Sequence, residues 1–465
     1  MQDGGSSLSE GSEKKSPLYD LCSFIAGKRF NELPLDTVEH AKRVVMDTLG
    51  VILAGSQDLP LKKLENLFIP CEDQKVSTRL GHRVKLSAMH AALLNGAAGS
   101  TRELEEGNNR ALGHPAIQLI PAALAHAESV GEGGKKFLEG VILGYEVAGR
   151  IGSSAPLRIG FHPNGTWGTV GAAAAVAKIS GMKAHEIFEI ANIASSFGIT
   201  SYTGNSLHGK SISQMYAAMS NYFGILSYHL FRSGFSSSQE NLRVTFGQLV
   251  SEGLKEERLV KGLGEEYFIE RNYFKMYPTC RFTHSALDAF RAAIQKEPVK
   301  LDQIQRIDVY TFKWALLMEN PEPENSGAMR FSISHLLGLS LASGSVNLKT
   351  IEEVSKYEDQ VKVIAERTFV HEDEKTNQML PDKRGARVVI ALQDGRKIEG
   401  SVDDSRGGEF YPYPDSQLEL KFKDLSTPIL GMKRTDKALE LLQHLESLDR
   451  MERLTDLLGL RTSDD

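Results

Sequence analysis

Runs of small residues inside helical patterns are the feature that most constrains the fold of this chain. They occur at 122–125 (Ala-Ala-Leu-Ala) and at 171–175 (Gly-Ala-Ala-Ala-Ala), and the segment 46–54 is apolar almost all round. A helix without a polar face belongs inside a bundle. Because apolar residues recur at helical spacing from residue 17 to about 268, the sequence predicts a large, closely packed helical domain.

The pattern changes near residue 273. Strands are predicted at 305–312, 386–392 and 397–402, and helices at 283–294, 331–342 and 351–361. The dipeptide Asp394-Gly395 is typical of a tight hairpin between the last two strands. We therefore expect a mainly α protein with an α+β second domain. The predicted division is a disordered tail at 1–16, a helical domain at 17–272, an α+β lid domain at 273–412 and a return to the helical domain at 413–460.

The composition argues against several classes of protein. The 465 residues carry 54 basic and 60 acidic side chains, a formal net charge of -6, so no nucleic-acid partner is expected. No apolar run reaches the length of a membrane span, and no membrane association is expected. The three cysteines lie far apart, without disulfide or metal-ligand spacing, which favours a reducing compartment such as the cytoplasm.

Two histidines on turns are the first candidates for a functional site. His114 and His162 each follow shortly after a glycine and immediately precede a proline. Proline disfavours helical geometry in the residue before it, so both imidazoles are predicted at element boundaries, where function is common. The alternative interpretation is two surface turns that happen to contain histidine.

Three carboxylates lie shortly before the first of these histidines, at Glu103, Glu105 and Glu106. They could bind a cation, orient the imidazole or act as a general base; the alternative is an acidic helix end in solvent. A metal site usually shows ligands at short, regular spacing. Because the sequence has no such spacing, a metal-free site is expected.

Two further segments suit a substrate that carries carboxylates. His284 is predicted at the start of a helix, near Arg281, where backbone N–H groups and the helix dipole favour anions. Lys210 and His208 lie on a polar loop, where a lysine can neutralise a carboxylate. That loop lacks the complete phosphate-loop pattern, so nucleotide binding is not expected. Cys280 fits a small buried hydrophobe better than a nucleophile.

Taken together, these segments resemble the MmgE/PrpD family. The resemblance covers about 18–457. It rests on short motifs in a fixed order: Asp47-Thr48-Leu49-Gly50-Val51, Gly144-Tyr145-Glu146-Val147 with Arg150-Ile151-Gly152, Gly160-Phe161-His162-Pro163, Tyr277-Pro278-Thr279-Cys280 with His284, and Asn320-Pro321 with Phe331-Ser332. It implies a large helical domain with a smaller lid domain, a site in the cleft between them, a homodimer, and catalysis without a metal or an organic cofactor.

The same resemblance implies roles for single residues. His114, His162 and His284 fall on the family's active-site histidine positions. Glu103 falls where members usually carry the first aspartate of an Asp-x-Asp-Asp cluster, so each acid in this chain is one methylene longer.

A second departure concerns the helix after the polar loop, which in the family often opens with a Lys-x-x-His pair. Here those positions are Ser213 and Tyr216. Lys210 and His208 lie about a turn earlier and are candidates to replace the pair in substrate binding. We therefore expect an unusual substrate or a different final step.

The leading hypothesis from the sequence is a cofactor-independent lyase that dehydrates a citrate-like polycarboxylate such as a 2-alkylcitrate. His162 with Glu103 would take the proton next to a carboxylate, and His114 or His284 would protonate the departing hydroxyl. Decarboxylation of the cis-aconitate type and epimerisation of the iminodisuccinate type use the same geometry and stay open. A catalytically silent binding protein is the alternative from another class.

Overall fold

The first part of the chain is a bundle of helices with four two-residue strands between them. The computed structural model describes residues 16–198 and 201–460, so the predicted tail lies outside the described residues except for Ser16, whose side chain caps the first helix. The helices are α1 Pro17–Gly27, α2 Leu35–Gly55, α3 Leu59–Phe68, α4 Ala88–Ser100, α5 Pro115–Val130, α6 Gly134–Ser154, α7 Trp167–Ile179, α8 Ala184–Ser195, α9 Thr203–Leu207, α10 Gln214–Arg232 and α11 Asn241–Val244; the strands are β1 Ser77–Thr78, β2 Lys85–Leu86, β3 Gly107–Asn108 and β4 Asn272–Tyr273.

The second part is an α+β unit built on a four-stranded sheet. Its strands are β5 Ile304–Thr311, β6 Thr368–Glu372, β7 Ala386–Leu392 and β8 Lys397–Val402, and its helices are α12 His284–Lys296, α13 Ser326–Met329, α14 Ile333–Ser343, α15 Leu348–Glu352, α16 Glu358–Glu366 and α17 Glu374–Asn377. The sheet order is β6-β5-β7-β8. Strand β6 is parallel to β5, and the other neighbours are antiparallel. Buried side chains alternate along β7, as expected for a strand with one covered face.

The chain ends in three helices that belong to the first core. They are α18 Asp415–Leu430, α19 Met432–Gln443 and α20 Glu452–Leu458. One hydrophobic cluster contains residues from Leu18 to Phe274 together with residues from Tyr413 to Leu458. A separate cluster runs from Ala286 to Ile398. The prediction of a large helical domain with a smaller α+β domain is confirmed.

Small residues bring the central helices into backbone contact. A Cβ added to Gly144 on α6 would lie 2.7 Å from the carbonyl oxygen of Gly171 on α7, and one added to Gly171 would lie 2.9 Å from the carbonyl oxygen of Gly144. Larger side chains would force these helices apart. The Ala/Gly runs therefore fix the spacing of the helices that carry the turns before α5 and α7.

Some predicted elements differ in detail. The helix predicted at 351–361 is interrupted, because α15 ends at Glu352 and a 3₁₀ turn precedes α16. The helical pattern predicted as far as about residue 268 is irregular near its end, where α11 is only four residues long before a π-helical turn at Thr245–Leu249. Strand β6 was not predicted. It is an edge strand of only five residues that ends in the polar residues His371 and Glu372, so its alternating pattern is short.

None of the described helices is by itself both long enough and apolar enough to cross a bilayer. Helix α2 and the segment Leu59–Cys71 reach that length and composition only together, and they are bent by 91° at the break.

Candidate active site

A cavity of about 130 Å³ lies where the two parts of the chain meet. Residues before α12 that line it are Glu103, Leu112, Gly113, His114, His162, Pro163, Thr203, Ser206, Leu207, Tyr273, Cys280, Arg281 and Phe282. Residues from the α+β unit that line it are Leu317, Met318, Phe331 and Arg384. Two of the three predicted histidines, the first predicted carboxylate and the predicted arginine are therefore brought together from distant parts of the sequence.

The turn before α5 is shaped by local hydrogen bonds. The side-chain Oδ1 of Asn108 accepts the N–H groups of Arg110 and Ala111, and the N–H of Asn108 donates to the carbonyl of Gly113 at 2.7 Å. His114 is the N-cap residue of α5, with a proline at the first helical position, as the His-Pro pattern predicted. The turn therefore holds the imidazole at a helix start, facing the cavity.

His114 is a neutral imidazole with a defined tautomer. Its Nδ1 lies 2.7 Å from the carbonyl oxygen of Glu106; a carbonyl only accepts, so Nδ1 carries the hydrogen. Burial, with the nearby Lys275 charge acting in the same direction, lowers the pKa of His114 to about 3. The unprotonated Nε2 is therefore the nitrogen available as a proton acceptor.

His162 has the opposite tautomer. Its Nδ1 accepts the backbone N–H of Asn164 at 3.1 Å, so in the neutral ring Nε2 carries the hydrogen. Burial lowers the pKa of His162 to about 4, although the Glu103 charge acts in the opposite direction. The ring packs against Tyr216, with centroids 5.5 Å apart, and the hydroxyl of Tyr216 donates to the carbonyl of Tyr202. Tyr216 therefore supports His162 from the side.

A buried lysine pairs with the acidic cluster. The Nζ of Lys275 lies 2.9 Å from Oε1 of Glu103 and 3.9 Å from Oε2 of Glu105. Burial alone would raise the pKa of Glu103, but the Lys275 charge holds it below its ordinary value. Burial raises the pKa of Glu105 to about 7. Glu103 is therefore a carboxylate at neutral pH.

The donor atoms of this cluster are close enough for a metal ion. One ligand atom each from Glu103, Glu105 and His114 lies within 4.8 Å of the others. The ammonium of Lys275 already supplies the positive charge between the carboxylates, and Nδ1 of His114 is bound to a backbone carbonyl. The residues therefore suit a lysine-neutralised acid pair better than a metal centre.

Glu106, the remaining acid of the cluster, is held by hydrogen bonds from its neighbours. The carboxylate of Glu106 accepts the N–H of Ala116 at 2.7 Å and the hydroxyl of Tyr145 at 3.1 Å. Burial raises the pKa of Glu106 to about 8. Glu106 therefore joins the acidic loop to the first turn of α5, which carries His114.

Cys280 lines the cavity between the charged groups. Burial raises the pKa of its thiol to about 12. A protonated thiol is a poor nucleophile, in agreement with the expectation from the sequence that Cys280 is a small apolar residue.

His284 lies behind the cavity wall rather than on it. The side chain is 1% exposed, its Nε2 lies 3.2 Å from the carbonyl of Thr279, and its ring contacts Tyr277 edge-on. Burial lowers its pKa well below the ordinary value, and the Arg281 charge acts in the same direction. The expectation that all three imidazoles line one cavity therefore needs correction for His284.

The polar loop also needs correction. Lys210 is exposed and forms an ion pair with Glu324 at 2.8 Å, and His208 is exposed at the end of α9. The chain turns away at Gly209 (φ +60°), where a Cβ would lie 2.1 Å from the side chain of Asn325. The turn therefore directs Lys210 towards the surface.

Ser213 lies outside the cavity as well, with its hydroxyl donating to the carbonyl of Lys210 at 2.9 Å. The loop instead contributes Thr203, Ser206 and Leu207 to the lining. Position 213, where the family resemblance implies a lysine, is therefore a serine that does not line the cavity.

Sequence reasoning missed two charged residues of the site, Lys275 and Arg384. Lys275 lies two residues before the Tyr277-Pro278 motif, between two apolar residues. A lone lysine in an apolar segment is a weak signal for a buried partner of the acidic cluster. Arg384 follows Lys383 in a loop with no motif at all.

Comparison with known proteins agrees with this architecture. The family model of the MmgE/PrpD N-terminal domain matches residues 19–251, and that of the MmgE/PrpD C-terminal domain matches residues 277–447. The chain is 24% identical to the cis-aconitate decarboxylase-like protein oryM of Aspergillus oryzae, over 95% of this chain and 96% of that protein. It is 22% identical to a cis-aconitate decarboxylase of Aspergillus terreus, over 96% of each. It is 24% identical to the cis-aconitate decarboxylase of Mus musculus, over 96% of this chain and 93% of that protein. The chain therefore belongs to the MmgE/PrpD family.

Proposed function

We propose that this protein is a lyase acting on a small polycarboxylate, with His114 as the proton carrier and His162 as a neutral hydrogen-bond donor. The observation that carries the proposal is the opposite backbone hydrogen bonding of the two imidazoles that line one cavity. Membership of a family whose curated relatives are named decarboxylases supports an enzyme of the lyase type.

The hydrogen bonds limit what each ring can do. The Nδ1–H of His114 points at a carbonyl in both charge states, so Nε2 can accept a proton and give it back. A proton on Nδ1 of His162 would face the N–H of Asn164, which disfavours the charged ring. This assigns the base to His114, opposite to the expectation from the sequence, which gave it to His162 with Glu103.

Dehydration is the reaction favoured by the resting charge state. Neutral His114 takes the proton next to a substrate carboxylate, and a preorganised donor stabilises the developing charge. The hydroxyl oxygen leaves with the C–O electron pair while Nε2–H of His162 donates a hydrogen bond to it. The proton held by His114 then completes the water molecule that is released.

Decarboxylation is the second candidate, and the names of the relatives favour it. A bound polyanion raises the pKa of a neighbouring imidazole, because opposite charge favours the charged form. The bond to one carboxylate breaks, carbon dioxide leaves, and the carbanion takes the Nε2 proton of the His114 imidazolium.

A substrate panel followed by proton NMR in deuterated water tests the proposal. The panel consists of citrate, 2-methylcitrate and cis-aconitate. A new vinyl proton from citrate, or replacement of the methyl doublet of 2-methylcitrate by the singlet of a methyl group on a double bond, indicates dehydration. Itaconate-like vinyl protons from cis-aconitate indicate decarboxylation. We expect His114→Asn to reduce turnover by about 100-fold or more.

Two outcomes would overturn the proposal. One is a His114→Asn variant that retains wild-type turnover. The other is binding of these acids by the wild-type protein without turnover or solvent exchange, which would favour the silent binding protein.

A further inference from the structure

Two arginines reach the cavity with unused hydrogen-bond donors. Arg281 and Arg384 both line it, and they are only 3% and 2% exposed. Within the described residues, the buried Nε of each has no hydrogen-bond partner. Leaving a buried polar group unpaired is costly, so both guanidinium groups are suited to an acceptor that enters the cavity.

Arg281 is fixed by neutral groups. Its two terminal nitrogens donate to the carbonyls of Arg406 at 2.7 Å and Ser405 at 3.0 Å. Its guanidinium carbon lies 4.4 Å from the ring centroid of Tyr273. These contacts orient the group without neutralising its charge.

Arg384 is held in a similar way. Its guanidinium carbon lies 5.1 Å from the ring centroid of Phe282 and 5.9 Å from that of Trp314, and one terminal nitrogen donates to the carbonyl of Asn109 at 3.3 Å. Burial is the main factor that lowers the pKa of Arg384, and the Arg281 charge acts in the same direction. The two charges are therefore close enough to repel each other.

The nearest carboxylate does not form an ion pair with either group. Oδ1 of Asp404 accepts the backbone N–H groups of Arg384 and Ser405. Among residues 16–198 and 201–460, no carboxylate oxygen lies within ion-pairing distance of the Arg281 or Arg384 guanidinium. This wall of the cavity therefore carries a net positive charge, which the nearby Asp404 carboxylate offsets only in part.

The other walls cannot take a carboxylate equally well. Lys275 is fully buried and already paired with Glu103. The rest of the lining includes the apolar residues Leu112, Leu207, Leu317, Met318 and Phe331, and α9 also adds the uncharged hydroxyls of Thr203 and Ser206. We propose that Arg281 and Arg384 form a carboxylate subsite that anchors one arm of the substrate, taking over the function of the lysine missing at Ser213. This inference rests on the proposed function, because it assumes a carboxylate substrate.

Binding of an unreactive probe tests the subsite separately from turnover. The probe is propane-1,2,3-tricarboxylate, titrated calorimetrically into the wild-type protein and into variants. We expect Arg384→Gln to weaken binding by about 10- to 100-fold, the usual effect of losing a charge-assisted hydrogen bond. Arg384→Lys should bind with intermediate affinity, because it keeps the charge but not the planar fork. The uncharged triamide of the probe should not distinguish the wild-type protein from Arg384→Gln.

Arg387 is the matched control, since it lies three residues further along the chain, in β7, with its guanidinium over the Tyr310 ring and outside the cavity. Arg387→Gln should bind the probe like the wild type. Equal affinity of Arg384→Gln and the wild type, or no binding by the wild type, overturns the subsite. If Arg384→Gln is too unstable to titrate, Arg384→Lys serves alone, and wild-type affinity in that variant also counts against the subsite.

The two proposals fail in different ways. Arg384-dependent binding without turnover of any panel substrate would contradict the lyase and leave the subsite standing. Turnover with an unchanged KM in Arg384→Gln would contradict the subsite and leave the lyase standing.

Discussion

Replacing Lys275 by methionine is the sharpest test of the buried charge arrangement. Lys275 is fully buried, and its Nζ donates to the carboxylate of Glu103 at 2.9 Å and to the Glu103 carbonyl at 3.2 Å. Removing one partner of a buried ion pair leaves an uncompensated charge and costs about 3–5 kcal/mol. Because the Glu103 side chain is 19% exposed, we expect about 3 kcal/mol at pH 8.

The loss should depend on pH in a definite direction. In the wild type, the lowered pKa of Glu103 gives stability that is present above the ordinary carboxyl pKa and is lost on acidification. In Lys275→Met, burial alone acts on Glu103 and raises its pKa, so protonation relieves the uncompensated charge as the pH falls. The difference between the two proteins should therefore shrink by about 1.4 kcal/mol per pH unit below that raised pKa.

Urea denaturation followed by circular dichroism at pH 8 and pH 5.5 measures both effects. The double variant Lys275→Met, Glu103→Gln should recover about 1–3 kcal/mol of the single-variant loss, as a double-mutant cycle for a contacting pair predicts. Lys356→Met, which removes an exposed lysine paired with Glu353, is the control and should leave the unfolding midpoint unchanged. A loss below about 1 kcal/mol at pH 8, or a loss that is the same at both pH values, would refute the reasoning.

Three further predictions follow from the same structure. Burial raises the pKa of Glu105 to about 7, so as the pH rises from 4.5 to 7 the free energy of unfolding of the wild type should fall by about 1.4 kcal/mol per pH unit relative to Glu105→Gln. Parallel stability profiles in urea would contradict this. With the pKa of His114 lowered to about 3, kcat/KM should show no acidic limb near pH 6.5 in a stopped-assay profile. Gly144→Ala, whose Cβ would meet backbone at 2.7 Å, should cost about 1–3 kcal/mol by overpacking, whereas Gly27→Ala, with open space around it, should not lower Tm.

Local sequence signals located the histidine turns well and the cation partners poorly. His114 precedes a proline, and that dipeptide alone places the ring at a helix start. Its tautomer depends on the carbonyl of Glu106, which the turn and the tertiary packing place next to the ring. The local sequence pattern therefore predicted where the imidazole lies. Which of its nitrogens carries the hydrogen could be determined only from its hydrogen-bond partner in the folded protein.

The error at the polar loop has a different cause. Lys210 lies only three residues after Leu207, which lines the cavity. The left-handed turn at Gly209 and its contact with Asn325 nevertheless direct the chain towards the surface. A lysine on a loop can point either way, and no residue pattern around it decides. Arg384, more than 170 residues away, reaches the cavity instead because the α+β unit closes over it.

The acidic loop also explains how a polyanion can bind beside several carboxylates. Three buried acids, Asp47, Glu105 and Glu106, and the partly buried Glu103 surround two buried lysines, Lys275 and Lys421. Lys421, from the C-terminal return, is paired with Asp47 and also donates to the carbonyl of Leu104, so it holds the loop while neutralising one acid. Lys275 neutralises Glu103, and the raised pKa values leave Glu106 mostly protonated and Glu105 partly protonated near neutral pH. The loop therefore presents little net negative charge to the cavity. The positive wall formed by Arg281 and Arg384 then favours a negatively charged ligand.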